Sequence, residues 1–313
     1  MSELPQDFQK KLYEKYYTAL KGGFLIFNGE SATKEILTAE LNGSSYPFEL
    51  TELHSLQKRP ESGSINDNPF AKPEPELTIV PSLHEDFRVV FNKFPVVPAH
   101  FMVVTKEFKS QNTPLSPSEL VVTMELLKNL KANDKEKKWF AFYNCGPESG
   151  ASQPHKHIQF MTLPEEFTPY AESLAKTSPH FIPNQFQEPL QDPNLPYAHF
   201  VARLPENTLE LTEDLLAMTF VSLLQRACTV LRDNGCDHIS YNFCATTEYM
   251  MIVPRSSGKY KDIFGINSCG MMGLFLCKDA ELVNVVKETG PLNILKELGF
   301  PNVHGQASTE YHY

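Results

Sequence analysis

Apolar residues recur at every fourth position near the start of the chain: Phe8, Leu12, Tyr16 and Leu20 line one stripe of "DFQKKLYEKYYTALK". That spacing predicts a helix over 7–21 with one buried face, stopped at Gly22-Gly23. The stripe then disappears. Residues 30–80 are rich in turn formers, and "KRPESGSINDNPFAKPEPEL" reads as a loop laid rigidly along a surface. From residue 77 the pattern changes to β-branched and aromatic runs, "LTIVPSL", "FRVVFNKF" and "HFMVVTKEF", broken by turns, which predict an antiparallel sheet. A helix follows over 116–133, with Ser116 or Ser118 as its cap and Glu119 near its start. "KWFAFYNCG" and "HKHIQFMTL" read as two more strands flanking a "PESGASQ" loop. Residues 163–208 turn proline-rich and irregular again, a long excursion suited to covering a site. A helix over 212–235, strands in "SYNFCATTEYMMIVPRS", the small-residue stretch "INSCGMMGLFLCK" and a final helix near 280–298 complete the pattern. The fold class is α+β, an antiparallel sheet core with flanking helices.

One echo suggests two halves. "HFMVVTKE" (100–107) and "YMMIVPRS" (249–256) align as four apolar residues framed by polar ones, with Asn92 or Asn242 seven or eight positions upstream. Each lies near a long amphipathic helix, so the pair is consistent with a duplication. Only the first copy is followed by "HKHIQ".

Composition narrows the partners. With 28 Lys+Arg against 38 Asp+Glu, the formal net charge is −10, which argues against a nucleic-acid or anionic-membrane surface. A polyanionic small ligand remains compatible, with backbone amides, a few lysines or a bound cation to hold it. The six cysteines form no CxxC pair, and most sit in apolar company as reduced, buried side chains. The N-terminal segment lacks an apolar core of signal-peptide length, and no window holds 18 unbroken apolar residues, so a soluble protein of the cytoplasm or nucleus is expected.

The candidate chemistry lies in "GASQPHKHIQF". Alternate residues of a strand share a face, so His155, His157 and Gln159 point one way and Lys156 and Ile158 the other. Three readings compete. Two half-buried structural histidines leave the adjacent Gly-Ser loop unused. Zinc bound by an HxH pair needs a third ligand, and Gln159 is a poor one. The third is covalent catalysis, in which a neutral imidazole attacks phosphorus and splits one difficult transfer into two easier ones. It needs donors where charge builds up on the phosphate oxygens. The backbone N–H groups of Gly150, Ala151, Ser152 and Gln153, the Ser152 hydroxyl and the Gln159 amide supply them, and this reading uses every feature of the stretch.

"HKHIQ" resembles the HxHxQ signature of the transferase branch of the histidine-triad superfamily. "YNCGPESGASQPHKHIQF", "VFNKFPVVPAHFMVVTKEF" and "MMIVPRS…INSCGMMGLFLCK" together resemble the diadenosine tetraphosphate (Ap4A) phosphorylases, also called ATP adenylyltransferases. The resemblance spans about residues 50–280. It implies a histidine-triad-like fold, 1–313 as one unit, with a catalytic half at about 50–165 and a non-catalytic half at about 200–313. It further implies that His157 attacks the α-phosphorus of one adenosine half and expels ATP, and that phosphate then releases ADP. His155 would orient the nucleophile, and Gln159 would bind the transferred phosphoryl group.

Other residues are candidates for substrate contacts. The resemblance points to Asn144 as a phosphate or ribose contact and to Asn92 and Lys93 as a nucleotide-binding block. Lys58 offers a cation for distal phosphates. Asn68 and Phe70 of "DNPF" suit either an adenine clamp or a turn with a core anchor. Asn267, Ser268 and Cys269 form a stretch small enough to approach a ligand, and Lys278 emerges where a phosphate-binding cation would sit. The expected partners are Ap4A, ATP, ADP and phosphate, with Mg²⁺ held mainly through polyphosphate oxygens. The rivals are a transferase or phosphorylase acting on a nucleoside-diphosphate sugar or adenylyl sulfate, a zinc-dependent hydrolase, and a non-catalytic nucleotide sensor.

Overall fold

The structure, a computed structural model, describes residues 3–59, 68–183 and 187–306. The chain opens with α1 (Phe8–Lys21), whose buried residues Phe8, Leu12 and Tyr16 are those of the apolar stripe. A hairpin follows, β1 (Thr33–Leu41) and β2 (Ser44–Glu52), paired around Asn42-Gly43. Sequence reasoning had assigned these residues to turns. The signal was the Asn-Gly pair itself, because both residues adopt positive φ, at 52° and 81°, as a two-residue hairpin turn demands. Part of the surface loop expected next, and the C-terminal "TEYHY", lie outside the described residues.

Strands β3 (Thr78–Leu83), β4 (Phe87–Phe91) and β5 (Phe101–Thr105) lead into α2 (Pro117–Asn133). Ser116 caps α2 in a reciprocal capping box with Glu119. Then come β6 (Trp139–Cys145), β7 (His157–Thr162), α3 (Tyr170–Lys176), β8 (Phe200–Arg203) and α4 (Glu213–Asp233). Thus the stretch expected to be irregular, 163–208, contains a short helix and a strand. The chain continues with β9 (Tyr241–Ala245), β10 (Tyr249–Pro254), the small hairpin β11 (Lys259–Tyr260) and β12 (Phe264–Gly265), α5 (Ser268–Met272) and β13 (Leu274–Cys277). The last expected helix is two, α6 (Ala280–Thr289) and α7 (Pro291–Leu298), divided at Gly290 with φ 84°. Glycine at positive φ followed by proline ends one helix and starts another.

Eight strands make one continuous sheet in the order β3-β4-β5-β7-β6-β9-β10-β8, each neighbouring pair antiparallel. Helices α1, α2 and α4 bury their apolar stripes on one face, against Phe101, Tyr143, Phe160, Phe243 and Ile252. Helix α4 is long and apolar enough to cross a membrane, yet half of that stretch is buried within the molecule. On the other face, a three-stranded sheet, β1-β2-β13, and α3, α6 and α7 cover β9 and β10.

The order β5-β7-β6, then β9-β10-β8, is a mirrored arrangement about the β6–β9 seam. Strand–helix–strand–strand units β5-α2-β6-β7 and β8-α4-β9-β10 correspond. The sequence echo is therefore out of step: it set β5 beside β10, whereas β10 occupies the place of β7, and β8 that of β5. Where β7 presents His157 and Gln159, β10 presents Tyr249, Met251 and Val253, all buried in the apolar core. No disulfide joins the six cysteines, and Cys145, Cys244, Cys269 and Cys277 are buried.

Candidate active site

Strand β7 sits between β5 and β6, with Gln159 opposite Met102 on one side and Phe142 on the other. His157 and Gln159 share the face away from α2 and line a cavity of about 230 Å³. Arg59, Phe70, Asn92, Lys93, Ser152 and Gln153 also line it. On the opposite face Lys156 is buried in an ion pair with Glu119, at 2.7 Å, and donates to the Pro114 carbonyl at 2.7 Å. The strand is thus anchored from behind through the cap of α2.

The two histidines are held differently. His155 is committed at both nitrogens: Nε2–H donates to the Thr105 carbonyl at 2.8 Å, and Nδ1 accepts from the Asn68 amide at 2.8 Å. It has no ring nitrogen left to attack phosphorus. His157, 2 % exposed, donates Nδ1–H to the His155 carbonyl at 2.8 Å. Its Nε2 therefore carries the lone pair and has no partner among the described residues. Burial pushes the His157 pKa down to about 4; the bond to His155 offsets part of this, and the Arg59 charge adds to it. The ring is neutral at physiological pH.

Gln159 is oriented by two neighbours that sequence reasoning did not join to it. Its Oε1 accepts from His100 Nε2 at 3.0 Å and from Asn92 Nδ2 at 3.4 Å, which leaves its NH₂ to donate elsewhere. His100 itself is kept neutral by burial, its pKa pushed down to about 3. The loop before β7 turns at Gly146 and Gly150, with φ 88° and 77°. A Cβ on Gly150 would meet the Ile266 carbonyl at 2.6 Å, so only glycine fits. Among the described residues the N–H groups of Gly150, Ala151 and Gln153 bond to no acceptor, and of the three Gln153 lines the cavity while Gly150 and Ala151 lie off it.

Several expected contacts lie elsewhere. Lys58 ends a 3₁₀ turn and is exposed, off the cavity; Arg59 lines it instead and donates to Ser152 Oγ at 2.6 Å. The clue was Pro60, which forces the preceding residue out of helical conformation and redirects its side chain. Lys278 is exposed after β13, also off the cavity. Asn68 holds His155 and does not line the cavity, while Phe70 packs 5.2 Å from the His157 ring as a wall. Lys93 lines the cavity but is paired with Glu74 at 2.7 Å.

Asn144, Ser268 and Cys269 are buried behind the loop. Asn144 Oδ1 accepts from Ser268 N at 2.9 Å, Ser268 Oγ at 2.6 Å and Asn242 Nδ2 at 2.9 Å, while Asn267 caps α5 by accepting from Cys269 N. Asn242 also donates to the Ser149 carbonyl at 2.8 Å and accepts from Arg255, which is 1 % exposed and otherwise bonded to carbonyls of Leu298, Ser257 and Ile266. These residues shape the loop and do not line the cavity, because β9 and α5 pack directly against its back.

A neutral, aimed imidazole on a strand, the open Gln153 amide after a glycine turn, and a guanidinium around one cavity define a nucleotidyltransferase site on a histidine-triad-like fold. Residues 49–175 match the family described as Ap4A phosphorylase N-terminal domain, and residues 193–301 the ATP adenylyltransferase C-terminal domain. The chain is 38% identical to diadenosine 5',5'''-P1,P4-tetraphosphate phosphorylase 2 of Saccharomyces cerevisiae, across 99% of this chain and 100% of that one. It superposes on the crystal structure of yeast Ap4A phosphorylase Apa2 with a TM-score of 0.87, at 36% identity over 99% of this chain and 100% of that chain. The structure of Apa2 in complex with Ap4A matches with a TM-score of 0.83 at 35% identity, over 96% and 99% of the two chains. The chain belongs to the Ap4A phosphorylase family.

Proposed function

We propose that this enzyme catalyses the reversible phosphorolysis of Ap4A to ATP and ADP through an adenylyl group carried on His157. The observation that supports it most directly is the Nε2 lone pair of His157, uncommitted among described residues and held by the Nδ1–H bond to His155. In the first step Nε2 bonds to the α-phosphorus of one adenosine half, and the bond to the bridging oxygen breaks. ATP departs with that electron pair. The ring becomes a cation while it carries AMP, and the His155 carbonyl stabilises the Nδ1–H that remains. A phosphate oxygen then attacks the same phosphorus, the P–N bond breaks, and ADP leaves. Gln159 NH₂, Arg59 and the Gln153 amide are the donors for charge on the phosphoryl oxygens. Asn92 acts through Gln159, and Lys93 joins the polyphosphate by leaving Glu74.

Mg²⁺ belongs to this reading as a companion of the substrate. Among the described residues no three His, Cys, Asp or Glu side chains form a metal-binding group, and Glu74 is the one carboxylate on the cavity. The described residues thus offer no cage of their own, and in this reading the ion's ligands are polyphosphate oxygens and water. The zinc-hydrolase reading would need His155 as a ligand, and both of its ring nitrogens are bonded, to the Thr105 carbonyl and the Asn68 amide.

The test is intact-mass measurement after brief incubation with Ap4A in phosphate-free buffer. The expected result is an acid-labile increase of one AMP that discharges as ADP when phosphate is added. Turnover without any adduct would defeat the covalent route.

The pH dependence follows from the buried rings. Attack needs neutral His157, so adenylyl-enzyme formation should hold steady down to about pH 5 and fall near pH 4, well below the 6.5 of a free imidazole. Rapid-quench rates across that range check it; an acid limb at 6.5 would contradict the burial argument. Stability moves in a related window. His157 and His199 have pKa values of about 4 and His100 about 3, so below 6.5 the unfolded chain takes up protons that the folded one refuses. Stability is fully present above 6.5 and is lost as pH falls toward 4.

A further inference from the structure

Where β6 and β7 approach the catalytic loop, their pairing is interrupted by a side chain. Lys138 and Leu163 mark the bonded set of pairs in this ladder, through Leu163 N–H to the Lys138 carbonyl at 2.7 Å. Every second pair belongs to that set, so Phe142–Gln159 is followed by Asn144–His157. In an unbroken ladder the His157 N–H would donate to the Asn144 carbonyl. It does not. His157 N–H donates instead to Gln111 Oε1 at 2.8 Å, and Gln111 Nε2 donates to the Asn144 carbonyl at 2.8 Å. One carboxamide has been inserted into the bond that would join the strands.

Gln111 is itself held rigidly. It is 1 % exposed, its N–H donates to the Pro154 carbonyl at 2.8 Å, and its carbonyl accepts from the Tyr143 hydroxyl at 2.9 Å. The neighbouring Ser110 forms a bridge with His155. The insertion separates the strands by the length of an amide at the point where the glycine loop leaves the sheet. It also makes the main chain of His157 depend on Asn144, whose side chain belongs to the Asn242–Arg255 network of the other half.

We propose that Gln111 is a positioning residue for the nucleophile, a wedge that sets where the His157 ring enters the cavity. This rests on the reading of His157 as the adenylyl carrier. Without the amide the strands either zip together, carrying His157 toward β6, or leave two buried backbone groups unpaired. Displacement of a reacting atom by about 1 Å is enough to cost about 10²-fold in rate.

The test measures single-turnover adenylyl-enzyme formation from Ap4A, AMP affinity and melting temperature in wild type, Gln111→Leu, Gln111→Glu and His157→Ala. Gln111→Leu removes these bonds and the weaker one from Nε2 to the His157 carbonyl at 3.4 Å; the expected result is adduct formation slowed about 100-fold, with AMP affinity within threefold, about the split a positioning role requires. Gln111→Glu keeps the shape and the acceptor for His157 N–H but sets a carboxylate oxygen against the Asn144 carbonyl. It should slow adduct formation about tenfold or more, and it decides the matter if the leucine variant does not fold. Adduct formation within threefold of wild type in the folded variants would overturn the assignment of Gln111 alone. An adduct in His157→Ala at the wild-type rate would overturn the nucleophile, and this inference with it.

Discussion

Replacing His157 with alanine should lower the turnover of Ap4A by about 10⁴-fold or more, the scale expected when a covalent nucleophile is removed. The loss should fall on kcat and on the burst of bound AMP, not on affinity. The ring packs against Phe70 at 5.2 Å and is almost wholly buried, so its contribution to binding is small beside its contribution to bond making. Rapid-quench kinetics and AMP titration on one preparation separate the two. His155→Ala should behave differently. Its ring contributes no lone pair to the cavity, and the carbonyl that holds His157 Nδ1 is retained, so the adduct should still form, more slowly. A His155→Ala protein that forms none, beside a His157→Ala protein that does, would reverse the roles.

The second large effect is expected at Arg59. It is the cation whose charge is felt by both His157 and His100, and its Nη2 is anchored on Ser152. Arg59→Met should reduce kcat/KM by about 10²–10³-fold, the range for losing one donor aimed at developing charge. Part of that loss should appear in KM, because the ground-state polyphosphate is also anionic. Arg59→Lys should recover only a fraction, since a single ammonium cannot hold Ser152 and reach the substrate together. Lys58→Met is the control: the exposed neighbour should change kcat/KM less than twofold, about the scatter of surface substitutions. Equal losses at both positions would remove Arg59 from the site.

The strand that carries His157 was legible in the sequence because a period of two is a local property. Three letters at that spacing put His155, His157 and Gln159 on one face whatever the rest of the fold does. The glycine turn was legible for a similar reason, since its steric demand is carried by Gly150 alone. What escaped are the partners that arrive from elsewhere in the chain. His100 reaches Gln159 across β5, Gln111 reaches His157 from the segment before α2, and Asn242 reaches Asn144 across the seam between halves. No spacing encodes those contacts. Lys58 and Arg59 show a finer limit: charge marked the right dipeptide, but the backbone conformation before proline decided which cation turned inward. The β1–β2 hairpin was missed although "LNGS" contains its turn, because neighbouring prolines and serines drew attention to loops.

The pairing of β6 with β9 places the joint between the halves in the middle of an eight-stranded sheet. A chain cut between residues 175 and 193, where the two family matches meet, would leave each fragment with an interior strand turned into a raw edge. Such an edge carries a full row of unpaired N–H and C=O groups beside apolar side chains, with none of the charges or prolines that keep natural edges from sticking. Either fragment made alone would thus aggregate, whereas fragments made together would recover their complement. Neither half can therefore be discarded without leaving the other a surface that sticks.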